Sequence, residues 1–260
     1  MKYGFIGCGN MGGALAAAAA RTLCEKDTLY LSDPAGIGNL PGIPADNLKI
    51  ATECDFIILG VKPQMMRELL AGLGPAIAAR KEKPVLVSMA AGMALERLRE
   101  ALGAECEWIR IMPNTPVQVG EGRILYAAPG VEDAKKQAFC ALFAKAGALI
   151  ELPEHLMDAG SAVSGCGPAF VYLFIEALAD GGVACGLPRQ TALELAAGTV
   201  LGSAKTVLET GKHPGALKDA VCSPAGSTIA GVAALEQGKF RAAAMDAVIR
   251  SYKRTKELGE

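Results

Sequence analysis

Through the first half of the chain, short apolar runs alternate with amphipathic ones. Residues 3–6, 28–31, 85–88, 108–111, 123–127 and 148–152 have the length and apolar character of strands. Residues 55–61 are almost wholly apolar, as in a strand buried on both faces. Between these runs, 12–23, 64–79, 95–102 and 132–145 carry helical periodicity. Strand and helix in alternation predict a mostly parallel sheet covered on both sides. The pattern changes near Pro153. Beyond it no strand is predicted, and helices are expected at 154–163, 168–184, 188–210, 214–221, 228–237 and 240–258. Several open on proline, whose missing N–H costs nothing in a first turn. Gly186, Gly211 and Gly238 fit helix ends.

The first strand runs into Gly7-Cys8-Gly9-Asn10-Met11-Gly12, which opens the first helix. A GxGxxG turn in that context suits a dinucleotide. Gly7 permits the tight turn, Gly9 lets backbone approach a diphosphate, and Gly12 allows close helix–strand packing. The freed N–H groups and the helix dipole favour the anion. Asp33 follows the second strand, where such a fold places an acidic acceptor for the adenosine ribose. A carboxylate there repels a 2′-phosphate, and Pro34-Ala35-Gly36-Ile37-Gly38 brings no arginine, so the residues lean toward NADH. Asp33 also reads simply as a turn aspartate before Pro34. The division is thus a dinucleotide-binding α/β domain over 1–152 and an all-helical domain over 153–260.

Composition narrows the function classes. The 260 residues carry a net charge of −1 and only 5% aromatics, which argues against nucleic acid as a partner. No apolar run is expected to reach the roughly 18 residues that a membrane span needs. Residues 1–20 do not read as a leader, because only Lys2 is positive and glycines interrupt the apolar stretch. Eight cysteines are scattered without a CxxC pair, and there are two histidines, so no metal site is expected. Scattered thiols fit a reducing cytoplasm.

Four further segments bear on identity: Val61-Lys62-Pro63-Gln64, Met112-Pro113-Asn114-Thr115-Pro116, Ser164-Gly165-Cys166-Gly167-Pro168-Ala169, and Asp219-Ala220-Val221-Cys222-Ser223-Pro224-Ala225-Gly226-Ser227-Thr228. Together with the opening glycine turn, they resemble the pyrroline-5-carboxylate reductases across the whole chain, in the same order. The resemblance implies a Rossmann-like domain followed by a helical dimerisation domain, with NADPH or NADH as cofactor. It further implies a homodimer, which in the family often assembles into decamers, and reduction of pyrroline-5-carboxylate to L-proline. By the same resemblance, Ile6, Gly7, Cys8, Gly9, Asn10 and Met11 match the diphosphate turn. Val61, Lys62 and Pro63 match a loop along the cofactor ribose, and Ala90, Ala91 and Gly92 a cofactor-side loop. Asn47 matches an adenosine contact, and Asn114 is assigned to the cofactor loop after its strand. Ser223, Gly226, Ser227 and Thr228 match the grip on substrate carboxylate and ring nitrogen, with Thr228 and Ser223 in the catalytic roles.

The chain departs from the family at named positions. Cys166 replaces a serine, Ala220 lacks a polar side chain, and Asp33 stands where serine is usual. Ala225 replaces a glycine and is expected to be tolerated only in a right-handed or extended conformation. Lys62 reads equally as a solvated strand-end lysine, and Asn114 also as a turn residue. His155 and His213 read as surface or loop residues, and Cys222 as a packed thiol. Two rivals stay open: a related imine or β-hydroxy-acid reductase, and a dinucleotide-sensing protein without catalysis. Residues 168–188 contain no lysine or arginine, which counts against the hydroxy-acid chemistry.

Overall fold

The computed structural model describes residues 1–259. Two compact units emerge, one formed by Met1–Cys166 with the chain from Ser251 onward, the other by Gly167–Arg250.

The first unit is built on an eight-stranded sheet. Its strands are β1 (Lys2–Ile6), β2 (Thr28–Ser32), β3 (Ile43–Pro44), β4 (Phe56–Leu59), β5 (Val85–Ser88), β6 (Glu107–Met112), β7 (Gly122–Ala127) and β8 (Gly147–Glu151), in the spatial order β3-β2-β1-β4-β5-β6-β7-β8. The first six pair in parallel. Their order, 3-2-1-4-5-6, is the doubly wound dinucleotide-binding arrangement. β7 runs antiparallel to β6 because only a one-turn 3-10 segment, Thr115–Val119, links them, too short for a crossover helix. β8 then pairs in parallel with β7.

Side-chain alternation fills both faces. Phe5, Leu31, Ile58, Val87 and Ile109 point toward α1 (Asn10–Ala20) and α5 (Asp133–Leu142), against Leu15, Ala16 and Phe139. Ile57, Leu59, Leu86 and Trp108 face α2 (Asn47–Glu53), α3 (Pro63–Ala78) and α4 (Leu95–Leu102), against Ile50, Leu70, Ile77 and Leu98. The period of two thus supplies two cores from one set of strands.

Two elements, β3 and α2, have no counterpart in the sequence reading. β3 is two exposed edge residues, too short to show a pattern. α2 has seven residues, with Ile50 and Ala51 buried, and is started by Asp46, whose carboxylate accepts from the Lys49 N–H at 2.7 Å. That cap was its one legible signal. α1 starts at Asn10, two residues before the expected Gly12, and stops at Ala20 rather than at residue 23.

Strands end at Glu151, and the first compact unit continues to Cys166, past the expected boundary at 152/153. The reason is packing and charge. α6 (Met157–Ser164) places Met157 against Met112, Leu125 and Ala127. Arg110 of β6, almost wholly buried, donates to Asp158 at 2.6 Å, and Glu154 lies 3.7 Å from it. Glu154 also accepts from the Leu95 N–H at 2.6 Å, tying α4 to the same cluster.

The second unit contains α7 (Gly167–Ala184), α8 (Arg189–Thr210), α9 (Pro214–Ala220), α10 (Ser227–Gln237) and the first half of α11 (Phe240–Gly259). α7 and α8 pack through Ala179, Ala192 and Ala196, with Ile175 and Val183 beside them. Little else is buried. Tyr172, Leu173, Leu195, Leu201, Leu208, Met245 and Ile249 are each at least half exposed in the single chain. The expectation of no membrane-length apolar run needs correcting. Glu154–Ala184 is long and apolar enough by composition, with 11% of its apolar window buried. That stretch comprises α6 and α7, which the sequence divides into helices at 154–163 and 168–184.

Candidate active site

Because β1, β2, β4, β5 and β6 run in parallel, their carboxyl ends share one edge of the sheet, where doubly wound folds bind ligands. Gly7 leaves β1 at φ +93, a conformation that favours glycine. Its N–H donates to the Ser32 carbonyl at 2.8 Å. A Cβ on Gly12 would sit 2.0 Å from the Gly7 carbonyl oxygen, so that glycine holds α1 against the turn. A Cβ on Gly9 would meet nothing within 4 Å, so the turn is open on that side. Gly13 makes the first helical bond, to the Gly9 carbonyl, which leaves the preceding N–H groups of α1 available to an anion.

Gly60 was missed by the sequence reading. It follows β4 directly, and a Cβ there would lie 2.3 Å from the Gly7 carbonyl oxygen. A glycine closing a buried strand opposite a glycine turn was the available signal.

A groove of about 710 Å³ runs along this edge. Ile6, Gly7, Asp33, Asn47 and Val61 line it together, with Ser32, Leu48, Met65, Leu69 and Leu73 forming more of its wall. Ser32 donates to the Asn47 side-chain oxygen at 2.7 Å, which places the start of α2 against the end of β2. Lys62 is the residue that leads into α3, and Pro63 is its first residue, a position proline tolerates. Cys8, Gly9 and Asn10 border a neighbouring hollow with Gly36 and Leu40.

Asp33 forms a turn and also reaches the glycine turn. One carboxylate oxygen accepts from the Ala35 N–H at 2.9 Å, and the Gly36 N–H returns to the Asp33 carbonyl, giving an Asx-supported turn with Pro34 second. The other accepts from the Cys8 N–H at 2.7 Å, inside the glycine turn. The Cys8 thiol sits 3.8 Å from the Ser32 carbonyl, and burial pushes its pKa up to about 11. It is therefore a neutral spacer at ordinary pH.

Ala90, Ala91 and Gly92 follow β5 at the same edge, with Gly92 at φ +72. Asn114 follows β6 and is buried. Its amide donates to the Ser164 carbonyl at 3.0 Å and accepts from the Arg123 N–H at 2.8 Å. Asn114 thus braces the loop to β7 and to the end of α6.

Ser223, Gly226, Ser227 and Thr228 gather in the second unit at the start of α10. The Gly226 N–H closes a turn onto the Ser223 carbonyl at 3.1 Å, with Pro224 and Ala225 as its middle residues. Ala225 lies at φ +56, which overturns the right-handed or extended expectation. A turn of type II demands a positive φ at its third residue, and the order proline then alanine supplies the second position well and the third poorly. Gly226 itself is extended and caps α10 without a side-chain bond. A Cβ there would fall 2.4 Å from the Ser223 hydroxyl. The Ser223 and Thr228 hydroxyls are exposed and have no partner among the described residues.

A glycine turn at the carboxyl edge of a doubly wound sheet, with an acidic residue after the second strand beside a groove, defines a nicotinamide dinucleotide-binding fold. Comparison with known proteins carries this further. Residues 2–92 match a family described as NADP oxidoreductase, coenzyme F420-dependent, and residues 154–258 match pyrroline-5-carboxylate reductase dimerisation. The pyrroline-5-carboxylate reductase of Methanosarcina acetivorans is 42% identical, covering 100% of this chain and 98% of that protein. That of Arabidopsis thaliana is 40% identical over 100% of this chain and 96% of its own. A crystal structure of Plasmodium falciparum pyrroline carboxylate reductase with NADP bound superimposes with a TM-score of 0.90 at 34% identity, covering 100% of this chain and 98% of that one. The chain belongs to the pyrroline-5-carboxylate reductase family.

Proposed function

We propose that this chain reduces pyrroline-5-carboxylate to L-proline as a cytoplasmic homodimer, with hydride from a reduced nicotinamide nucleotide. The observation that carries this reading is the start of α10. There a glycine cap, open helical N–H groups and two unpartnered hydroxyls form a receptor for a small carboxylate bearing a nearby ring nitrogen. Gly226 and Ser227 present backbone N–H groups to the carboxylate, and the Ser223 hydroxyl adds a donor. Thr228 orients the ring nitrogen. When bound, the reduced nicotinamide supplies a hydride to the imine carbon, and the nitrogen, carrying its proton, becomes the ring amine. With no carboxylic acid or histidine in this loop, positioning is the contribution of these residues.

In the first unit, Ile6, Gly7, Cys8, Gly9, Asn10 and Met11 form the diphosphate seat. Asp33, Asn47, Val61, Lys62 and Pro63 serve the adenosine and ribose side, and Ala90, Ala91, Gly92 and the Asn114-braced loop serve the nicotinamide side. The fit rests on the open face of Gly9 and the free first turn of α1. A second copy is the natural cover for the exposed apolar faces of α7, α8 and α11, which a lone chain leaves in water. All eight cysteines are free thiols, in keeping with a reducing compartment.

The test is oxidation of NADH and NADPH by the purified protein with pyrroline-5-carboxylate, together with its sedimentation. Thr228→Ala is expected to lower kcat by about tenfold or more. Nucleotide binding without turnover of this imine refutes the reaction and favours the sensing rival.

A further inference from the structure

Taking the proposed nicotinamide-dependent reduction as its basis, we infer that this chain selects NADH over NADPH and that Asp33 sets the selection. The Asp33 carboxylate stands at the end of β2 on the wall of the nucleotide groove. It is held in place by two backbone donors, Cys8 at 2.7 Å and Ala35 at 2.9 Å. Swinging away to admit a second anion would break both. A carboxylate has about four acceptor directions, so two remain for ribose hydroxyls.

Lys62 adjoins the groove-lining Val61, but the residues that line the groove offer a 2′-phosphate no cation. Asp33, Asp46 and Glu68 all line the groove, and among the described residues no lysine or arginine does. The stretch 34–42 that follows β2 contains no basic residue, and Gly36 and Gly38 turn it with positive φ and no side chain. Lys49, the basic residue of α2, holds its ammonium over the Tyr30 ring at 5.0 Å. The partial charge at the start of α2 is already met by the Asp46 cap. A free 2′-hydroxyl can donate to Asp33; a phosphate there would meet the Asp33 carboxylate, in a groove whose lining residues include Asp46 and Glu68 and no lysine or arginine. The groove therefore recognises an unphosphorylated adenosine ribose, although a relative 34% identical has been seen with NADP bound.

Equilibrium titration of the full-length protein with NADH and NADPH, followed by nicotinamide fluorescence, tests this independently of turnover. The wild type is expected to bind NADH at least about tenfold more tightly, or about 1.4 kcal/mol. Asp33→Ser should cut that ratio by about tenfold, mainly through tighter NADPH binding. Equal or tighter binding of NADPH by the wild type overturns the inference, as does an Asp33→Ser ratio that does not move. Imine reduction with NADPH preferred overturns the selection and leaves the proposed reaction in place. Tight, NADH-selective binding without imine reduction does the reverse.

Discussion

The contact between Gly60 and the glycine turn leads to a sharp prediction. In Gly60→Ala, the new Cβ would lie 2.3 Å from the Gly7 carbonyl oxygen and 3.4 Å from the Gly12 Cα. Both neighbours are backbone, so no side chain can rotate away. The turn must retreat by roughly 1 Å to reach ordinary contact, against the Gly7–Ser32 bond at 2.8 Å and the Gly60–Ile6 bond at 2.7 Å. Overpacking of this kind costs about 1–3 kcal/mol, and a weakened backbone bond adds about 1 kcal/mol. Alanine's lower unfolded-chain entropy returns about 0.4–1 kcal/mol. The net loss is then about 1–3.6 kcal/mol, or a Tm lower by roughly 2–14 °C. Gly72→Ala is the internal control. It lies in α3 with open space around its would-be Cβ, so the same substitution should stabilise by about 0.5–1 kcal/mol. Thermal unfolding at one fixed protein concentration measures both variants, and nucleotide titration measures the displaced turn. If Gly60→Ala melts with the wild type and binds nucleotide equally well, the close-approach reasoning is wrong.

Ala225→Gly should raise stability by up to about 1 kcal/mol, since a left-handed alanine costs about 1–2 kcal/mol and glycine's entropy takes part of that back; a clear fall in Tm contradicts the strain. Asp158→Asn leaves the buried Arg110 guanidinium with Glu154 at 3.7 Å as its remaining charged neighbour and should destabilise by about 1–3 kcal/mol, less than for a fully broken buried pair. An unchanged denaturant midpoint would show that the pair does not hold α6. Burial pushes the Cys54 thiol pKa up to about 12 from an ordinary 9. The unfolded chain therefore sheds this proton near pH 9 while the folded chain keeps it, so stability falls as pH rises above 9. Cys54→Ala should flatten the decline of Tm between about pH 8 and 10.5, and an identical decline in both proteins argues against it.

The sequence by itself determined most of what is local or repeats with a period. The strands of the sheet apart from β3, the glycine turn and the all-helical second half follow from runs and spacings that neighbouring residues alone produce. Asp33 stood out as a candidate because it comes a fixed distance after that turn. What the residues left open depends on partners far away in the chain. Gly60 leaves no room for a Cβ only because β1 and β4 bring it against Gly7. Asn114 is a brace because Ser164 and Arg123 reach it, and α6 joins the first unit because Arg110 is buried beneath Asp158. α2 is too short for a period to show, and its cap needed a structure to distinguish it from a turn. Ala225 taught the reverse lesson: a residue's own preference for negative φ yielded to the turn that starts α10. Backbone preferences of about 1 kcal/mol are settled by hydrogen bonds and packing of equal or larger size, and those form only when the chain has folded.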